Sequence, residues 1–391
     1  MTRDAVIVEA VRTPTARRDG KLKDWHPVDL LAEVLGETVA RSGLDAAVVD
    51  DVICGCVSQI GEQSLNIGRN AWLAAGLPEE VPATTLDRQC GSSQQAAHFA
   101  AQGVIAGAYD VAIACGVENM TRVPMGSSAQ SQGFPFSERL MARYENGLVP
   151  QGISAEIIAE RWNLSRQQLD EFSIRSHEHA AAAINEGRFQ REIHPIKVED
   201  PENGTRLFEN DEGVRFQASL EKMASLPTPF KPGGVVSAGN SSQISDGAGA
   251  IVIASREKAE GLGLRPRARF HAFGLAGVDP ITMLTGNVPA TKRALANAGL
   301  KLDDIDAVEI NEAFASVVLA WKKELDVPDE WFEANVNPNG GAIALGHPLG
   351  ATGAKLMATL LGELERREAR FGLQTMCEGG GMSNATILER L

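Results

Sequence analysis

With 391 residues, 43% of them hydrophobic and 23% charged, the chain is long enough for two or three packed units around a large core. A formal net charge of −14 excludes the basic stripe of a nucleic-acid surface and attraction to anionic lipid, so an anionic ligand has to be met by local cations or backbone amides. Five cysteines (Cys54, Cys56, Cys90, Cys115 and Cys377) without a signal-type leader point to a reducing cytoplasm, and no apolar run reaches the length of a membrane span.

"DAVIVEAVRTP" opens the chain as a buried strand and turns at Thr13-Pro14. A helix follows from about Val28 to Arg41, with Leu30, Leu31, Val34, Leu35 and Val39 on one face. The strand "VDDVICGCVSQ", the helix "SLNIGRNAWLAAGL", a helix beginning at Cys90 and the strand "YDVAIACG" continue the alternation, which predicts an α/β layered sheet with both faces covered. From about Glu118 to Gly239 the pattern breaks into a Ser-, Gly-, Pro- and Met-rich stretch and then polar helices, which reads as an inserted subdomain suited to covering a ligand. Alternation resumes from "GAGAIVIAS" to "NATILERL". The two α/β parts each run a strand into a Gly-rich turn near a cysteine, which suggests an internal duplication. The acidic "DVPDEWFEAN" reads as a solvated turn, and Cys54, Cys56 and Cys115 as strand core. His177 and His179 sit at a spacing that does not share a helix face, which argues against a metal site.

Five stretches carry chemistry. "DRQCGSSQQA" puts Cys90 where a helix begins, where free N–H groups and the helix dipole favour a thiolate. "NPNGGAIALGHPLGATG" wraps His347 in glycines and reads as an exposed turn facing a ligand. "TMCEGGGMS" holds Cys377 on a Gly-rich loop whose amides can face a developing negative charge. "EINEAFA" sets Asn311 at a helix start, and "AGNSSQISDGAGA" is a polar turn entering a strand. Each alone has a bland alternative: a buried thiol, an N-cap, a satisfied turn histidine, a tight turn.

In this order, and across essentially the whole chain from "VIVEAVRTP" to "ATILERL", the five stretches resemble the thiolase family. "DRQCGSSQQA" and "QTMCEGGG" are most similar to the degradative 3-ketoacyl-CoA thiolases of actinobacteria, including those linked to steroid ring breakdown. The resemblance implies two similar βαβαβαββ-type halves stacked as layered α/β sheets, one formed by 1–117 with 246–268 and the other by 269–391, with a loop domain over 118–245 that binds CoA and substrate. It implies thiolytic cleavage of 3-ketoacyl-CoA to acetyl-CoA and a shortened acyl-CoA. By the same resemblance Cys90 is the acylated nucleophile and Cys377 the acid/base cysteine, while His347 takes the nucleophile's proton. Asn311 then serves one oxyanion hole through a held water, and the amides of Cys90 and Gly379 form the other. Ser242 lies near the pantetheine arm and Arg215 near the CoA nucleotide. CoA is a substrate, no cofactor or metal is tightly bound, and the protein is a homodimer or homotetramer. Ser93 and Ser383 stand where many relatives have glycine, which bears on the acyl pocket, as do Met120 and Met125. Pro150 stands where short-chain biosynthetic members carry histidine, which weakens an acetoacetyl-CoA-making assignment. A non-catalytic thiolase-like carrier of acyl-CoA or lipid is the alternative from another class. A condensing enzyme acting on carrier-protein substrates would show a Cys-His-His set and basic residues, against both of which this sequence counts.

Overall fold

A computed structural model describes residues 3–130, 133–144, 147–200 and 204–391. Its strands are β1 (Ala5–Arg12), β2 (Ala16–Arg17), β3 (Asp51–Gly55), β4 (Ala83–Leu86), β5 (Val111–Asn119), β6 (Ile196–Asp200), β7 (Gly204–Phe208), β8 (Ser245–Ser255), β9 (Ala268–Gly277), β10 (Ala307–Ile310), β11 (Phe371–Glu378) and β12 (Met382–Arg390). Among the described residues the large sheet runs β10-β11-β12-β9-β1-β8-β5-β3-β4, with β2 beside β8.

The sheet is two copies of one pattern. One half runs β4-β3-β5-β8-β1, with two parallel pairings followed by two antiparallel ones. The other runs β10-β11-β12-β9 with the same sense at each step, and a parallel bridge from Val308 to Val336 stands where β4 stands in the first. The halves join through a short contact of β1 with β9, at Val6 with Arg269 and Ile7 with Ala268.

Between the two half-sheets lie the helices Ser92–Ala106 and Thr352–Arg366, whose Ala96, Ala97, Ala100, Ala101, Ala354 and Met357 share one core with Ala112, Ile251, Ala307 and Leu388. The first of these is buried over most of its surface, with Phe99, Gln102 and Ala106 as its exposed positions, and the part that packs into this core is lined with alanines. The fit is tight enough that a Cβ on Gly353 would strike the backbone of Gln94. Strand β1 serves both layers: Ala5, Ile7 and Ala10 face this central core and Val6, Val8 and Val11 the outer one, the alternation slipping at a bulge between Ile7 and Glu9. Helices Pro27–Ser42 and Asn287–Ala298 cover the outer faces.

The chain between β5 and β8 contributes helices Gln151–Arg161 and Arg166–Asn185 and the β6–β7 hairpin. It is pinned to β1 by buried charge. Arg12 makes a bidentate pair with Asp211 at 2.9 and 3.0 Å and donates to Glu192 at 2.6 Å, and Thr359 of the central helix donates to Glu192 at 2.7 Å. "DVPDEWFEAN" is not a loose turn but the helix Asp329–Asn335, started by Pro328 with Asp329 and Glu330 in the favourable first turn and held by buried Phe332.

Candidate active site

Cys90 follows β4 and stands just before the Ser92–Ala106 helix. The turn is sharp: Gln89 has φ of 49°, a left-handed conformation that costs a non-glycine residue on the order of 1–3 kcal/mol. Its N–H donates to Asp87 at 2.6 Å, which holds that conformation. Cys90 is buried and packs with Met120, Leu349, Leu356 and Met376. The thiol is therefore a poor acid at rest. Burial, with the neighbouring Glu378 second, pushes it up to about 12, against the pull of the N–H groups of Cys90 itself and Gly379. The helix-terminus thiolate expected from the sequence is overridden by desolvation, and the Gly379 N–H faces the sulfur.

Cys377 lies in β11 and not on the glycine loop, which begins one residue after Glu378. It is fully buried, and burial followed by the charge of Cys90 holds its thiol well above the usual range. The two sulfurs are near neighbours, each able to influence whether the other ionises.

His347 is buried rather than exposed, because the turn Ala342–Leu345 and the start of the Thr352–Arg366 helix close around it. Gly346, at φ of 83°, makes the corner, and a side chain there would meet Ser245 and Thr15. Thr352 Oγ1 lies 2.8 Å from the Pro348 carbonyl and 2.7 Å from His347 Nδ1. A carbonyl can only accept, so the hydroxyl proton goes there and Nδ1 must carry the proton that Oγ1 accepts. Nε2 is left with its lone pair, and burial, then Lys355, lowers the imidazole to about 3, so it is a neutral base.

Asn311 is not an N-cap. The helix begins at Ala315, and the Asn311 N–H continues the strand ladder to the Thr375 carbonyl at 3.1 Å. Its side-chain Nδ2 is 3.4 Å from His347 Nε2, and its buried Oδ1 has no partner among the described residues. The amide is thus spent on the site rather than on the helix.

His347, Met120, Leu349, Ser242 and Arg215 line one cavity of about 530 Å³. Arg17 and Arg18 share its wall with Arg215, and Phe230, Phe314 and Met125 give it apolar sides. Ser242 is placed there by its backbone N–H, which donates to the Ala313 carbonyl at 2.9 Å. A second cavity of about 580 Å³ has Gly379 and Gly380 at one end and Phe136, Leu148, Met283 and Met382 on its walls, and it shares Gln151 with the first. Pro150 lines the second cavity as the cap of the helix that starts at Gln151. The cleft of about 870 Å³ between Phe172, Lys322 and Phe332 holds none of these residues and takes no part in the site.

Ser93 and Ser383 line neither cavity. Ser93 Oγ accepts the Ala354 N–H at 2.9 Å and so links the two central helices, while Ser383 donates to the Met376 carbonyl. Their bearing is on packing and not on acyl-pocket shape. Sequence reasoning also passed over Thr352 and Glu378, although a threonine one turn after His-Pro and an acid inside an apolar strand are both visible signals.

Residues 5–257 match the thiolase N-terminal domain and residues 264–390 the thiolase C-terminal domain. The chain belongs to the thiolase family. Among thiolases it is 52% identical to the steroid 3-ketoacyl-CoA thiolase FadA6 of Mycobacterium tuberculosis, with 99% of this chain and 94% of that protein covered. It is 43% identical to a 3-ketoacyl-CoA thiolase of Bacillus subtilis, with 99% of each covered. A solved thiolase structure, the acetyl-CoA acetyltransferase of Bacillus anthracis, superimposes with a TM-score of 0.90 at 37% identity over 100% of this chain and 99% of that one.

Proposed function

We propose that this thiolase is a degradative acyltransferase that cleaves 3-ketoacyl-CoA with CoA by a ping-pong route through acyl-Cys90, with steroid-derived or fatty acyl groups as substrates. The observation that carries the reading is a pair of buried thiols, burial and then Cys90 raising Cys377, with Cys90 packed on Met120 and Leu349, which line the same arginine-bearing cavity as the neutral imidazole of His347. The relative at 52% identity supports the steroid-type substrate, and an apolar second cavity of about 580 Å³ supports an acyl group much larger than acetyl over an acetoacetyl-CoA-making role.

In the first half-reaction His347 Nε2 takes the Cys90 proton and the thiolate adds to the C3 carbonyl. The alkoxide is met by preorganised donors, one of which is typically worth about 3 kcal/mol. The C2–C3 bond breaks, the acyl group stays on Cys90, and the Cys377 thiol protonates C2 of the departing acetyl-CoA enolate. In the second half the Cys377 thiolate takes the proton of incoming CoA. The CoA sulfur then attacks the acyl-Cys90 thioester, and His347 returns its proton to Cys90. Side chains and amides of this chain account for every step, with CoA as substrate and no bound cofactor. Arg215, with Arg17 and Arg18, would meet the CoA phosphates, and Ser242 the pantetheine arm.

We further assign 1–117 with 246–268 and 269–391 to the two halves and 118–245 to the loop domain that supplies Met125, Gln151, Arg215 and Phe230 to the cavities. A homodimer or homotetramer is supported by β4 standing at the end of the sheet and by Leu65, 87% exposed, whose neighbour Asn66 bonds to Ala83 and Thr85 of that strand. Five free cysteines favour the cytoplasm, and no helix among the described residues is long and apolar enough to cross a membrane.

The deciding experiment is intact-protein mass spectrometry after mixing with 3-ketoacyl-CoA and no free CoA, using a short-to-bulky acyl panel and Cys90→Ala as control. An adduct on the native chain and none on the variant is the expected result, and the fastest acyl group names the substrate class. Absence of any adduct would put the non-catalytic carrier in its place.

A further inference from the structure

The duplication gives Glu378 an internal standard. The central helix starts at Ser92 in one half and Thr352 in the other, and the strand that follows starts at Val111 and at Phe371, so Glu118 and Glu378 are each the eighth residue of equivalent strands. Both are completely buried. Each reaches the turn that begins the other half's central helix.

Glu118 does there what a buried carboxylate must. It accepts the N–H groups of Val57 at 2.9 Å, Ser58 at 3.0 Å and Gly350 at 2.9 Å, and Gln63 Nε2 at 2.9 Å. Glu378 accepts none. Both of its oxygens lack a partner among the described residues, although it is pressed against Gly91, the residue after the nucleophile, so closely that a Cβ on Gly91 would collide with it. The neighbouring Asn384 amide does not help, since it donates to the Gly91 carbonyl at 3.1 Å. A carboxylate buried without partners costs several kcal/mol, so this group stays protonated unless something nearby changes.

The groups facing it are Arg88 and Asp87 from the segment before Cys90, and the thiols of Cys90 and Cys377. Three acids, two sulfurs and one carboxyl, therefore compete for one negative charge in a single desolvated pocket. We propose that Glu378 is a positioning residue that sets the charge state of the cysteine pair: it stays a neutral carboxylic acid while Cys90 becomes a thiolate, and once ionised it keeps the thiols protonated. Burial, opposed by Arg88 and aided by Asp87, places its own titration at about 8, and Glu378 in turn raises both cysteines. A protonated Glu378 at neutral pH is what allows His347 to take the Cys90 proton, and an alkaline site loses that capacity.

The inference rests on Cys90 as the reacting thiol, and its test needs no substrate. The full-length enzyme is treated with iodoacetamide from about pH 6.5 to 10 and the alkylation rate of Cys90 is read by peptide mapping. In the native chain the rate should climb and then flatten from about pH 8, where Glu378 ionises. Glu378→Gln, the permanent mimic of the neutral acid, should match it near pH 7 and exceed it about tenfold at pH 9.5. Glu378→Asp, which keeps a charge, should retain the flattening. A native curve that rises as one simple proton loss, or identical curves for native and Gln chains, overturns the proposal even if one variant fails to fold. Failure of acyl transfer to Cys90 would instead remove the thiolase reading and leave these curves unchanged.

Discussion

The Thr352 hydroxyl stands 2.7 Å from Nδ1 of His347 and fixes which nitrogen carries the proton. Thr352→Val keeps the shape but leaves that buried N–H without an acceptor, at a cost of about 1–3 kcal/mol, and frees the ring to turn. We expect kcat to fall about tenfold to a hundredfold with little change in the KM for CoA, and Thr352→Ser to restore most of it. A loss in the Ser variant with none in the Val variant would mean that packing of the methyl, not the hydrogen bond, matters.

Asn311 leads to a different expectation. Its Nδ2 stands 3.4 Å from the base nitrogen, and no group among the described residues satisfies its carbonyl oxygen. Asn311→Ala should lower kcat by about a hundredfold through loss of one oxyanion donor. Acyl-Cys90 formation, followed by rapid-mix mass spectrometry, should slow by a similar factor while the unfolding midpoint stays put. A KM effect alone would assign Asn311 to binding.

The alternation of strands and helices, the break after Glu118 and the ordered motifs were legible in the sequence because each is local. What was not legible depends on enclosure. His347 in its glycine setting reads as an exposed turn, yet the helix packed behind it buries the ring and makes it a neutral base. Cys90 sits before a helix as the motif suggests, but desolvation outweighs the helix terminus and the resting group is a thiol. Asn311 has the composition of a cap, and only the partner strand, through the Thr375 carbonyl, shows that the helix starts later. Glu378 shows in the sequence as an acid in an apolar strand, but its lack of partners stands out only against Glu118 at the equivalent place in the other half.

The buried cluster around Arg12 predicts a stability effect. Asp211 supplies both oxygens of the bidentate pair and accepts the Thr15 N–H at 2.7 Å. Removing it in Asp211→Ala strands a guanidinium with only Glu192 for charge, and about 3–5 kcal/mol of unfolding free energy should be lost. Because Asp211 lies between β5 and β8 in sequence, outside the layered halves, limited proteolysis should cut the 118–245 segment first in the variant. A change under about 1 kcal/mol in urea unfolding would show that the pair is a spectator.

Acid sensitivity follows from buried histidines. His98 has Nε2 2.7 Å from Thr386 Oγ1 and no partner at Nδ1 among the described residues, and burial, then Arg88, lowers it to about 3; burial, then Lys355, lowers His347 to about 3. In the unfolded chain both take a proton near 6.5, so between 6.5 and about 3 the unfolded state binds more protons than the folded one. Stability contributed by the neutral rings is therefore complete above 6.5 and drains as the pH falls, by up to about 1.4 kcal/mol per pH unit for each ring. Urea unfolding at pH 7, 6 and 5 should show His98→Asn losing stability less steeply than the native chain by about that amount per unit. Equal slopes would mean that His98 is already charged in the fold, which its contact with Phe273 and its lack of any acidic partner argue against.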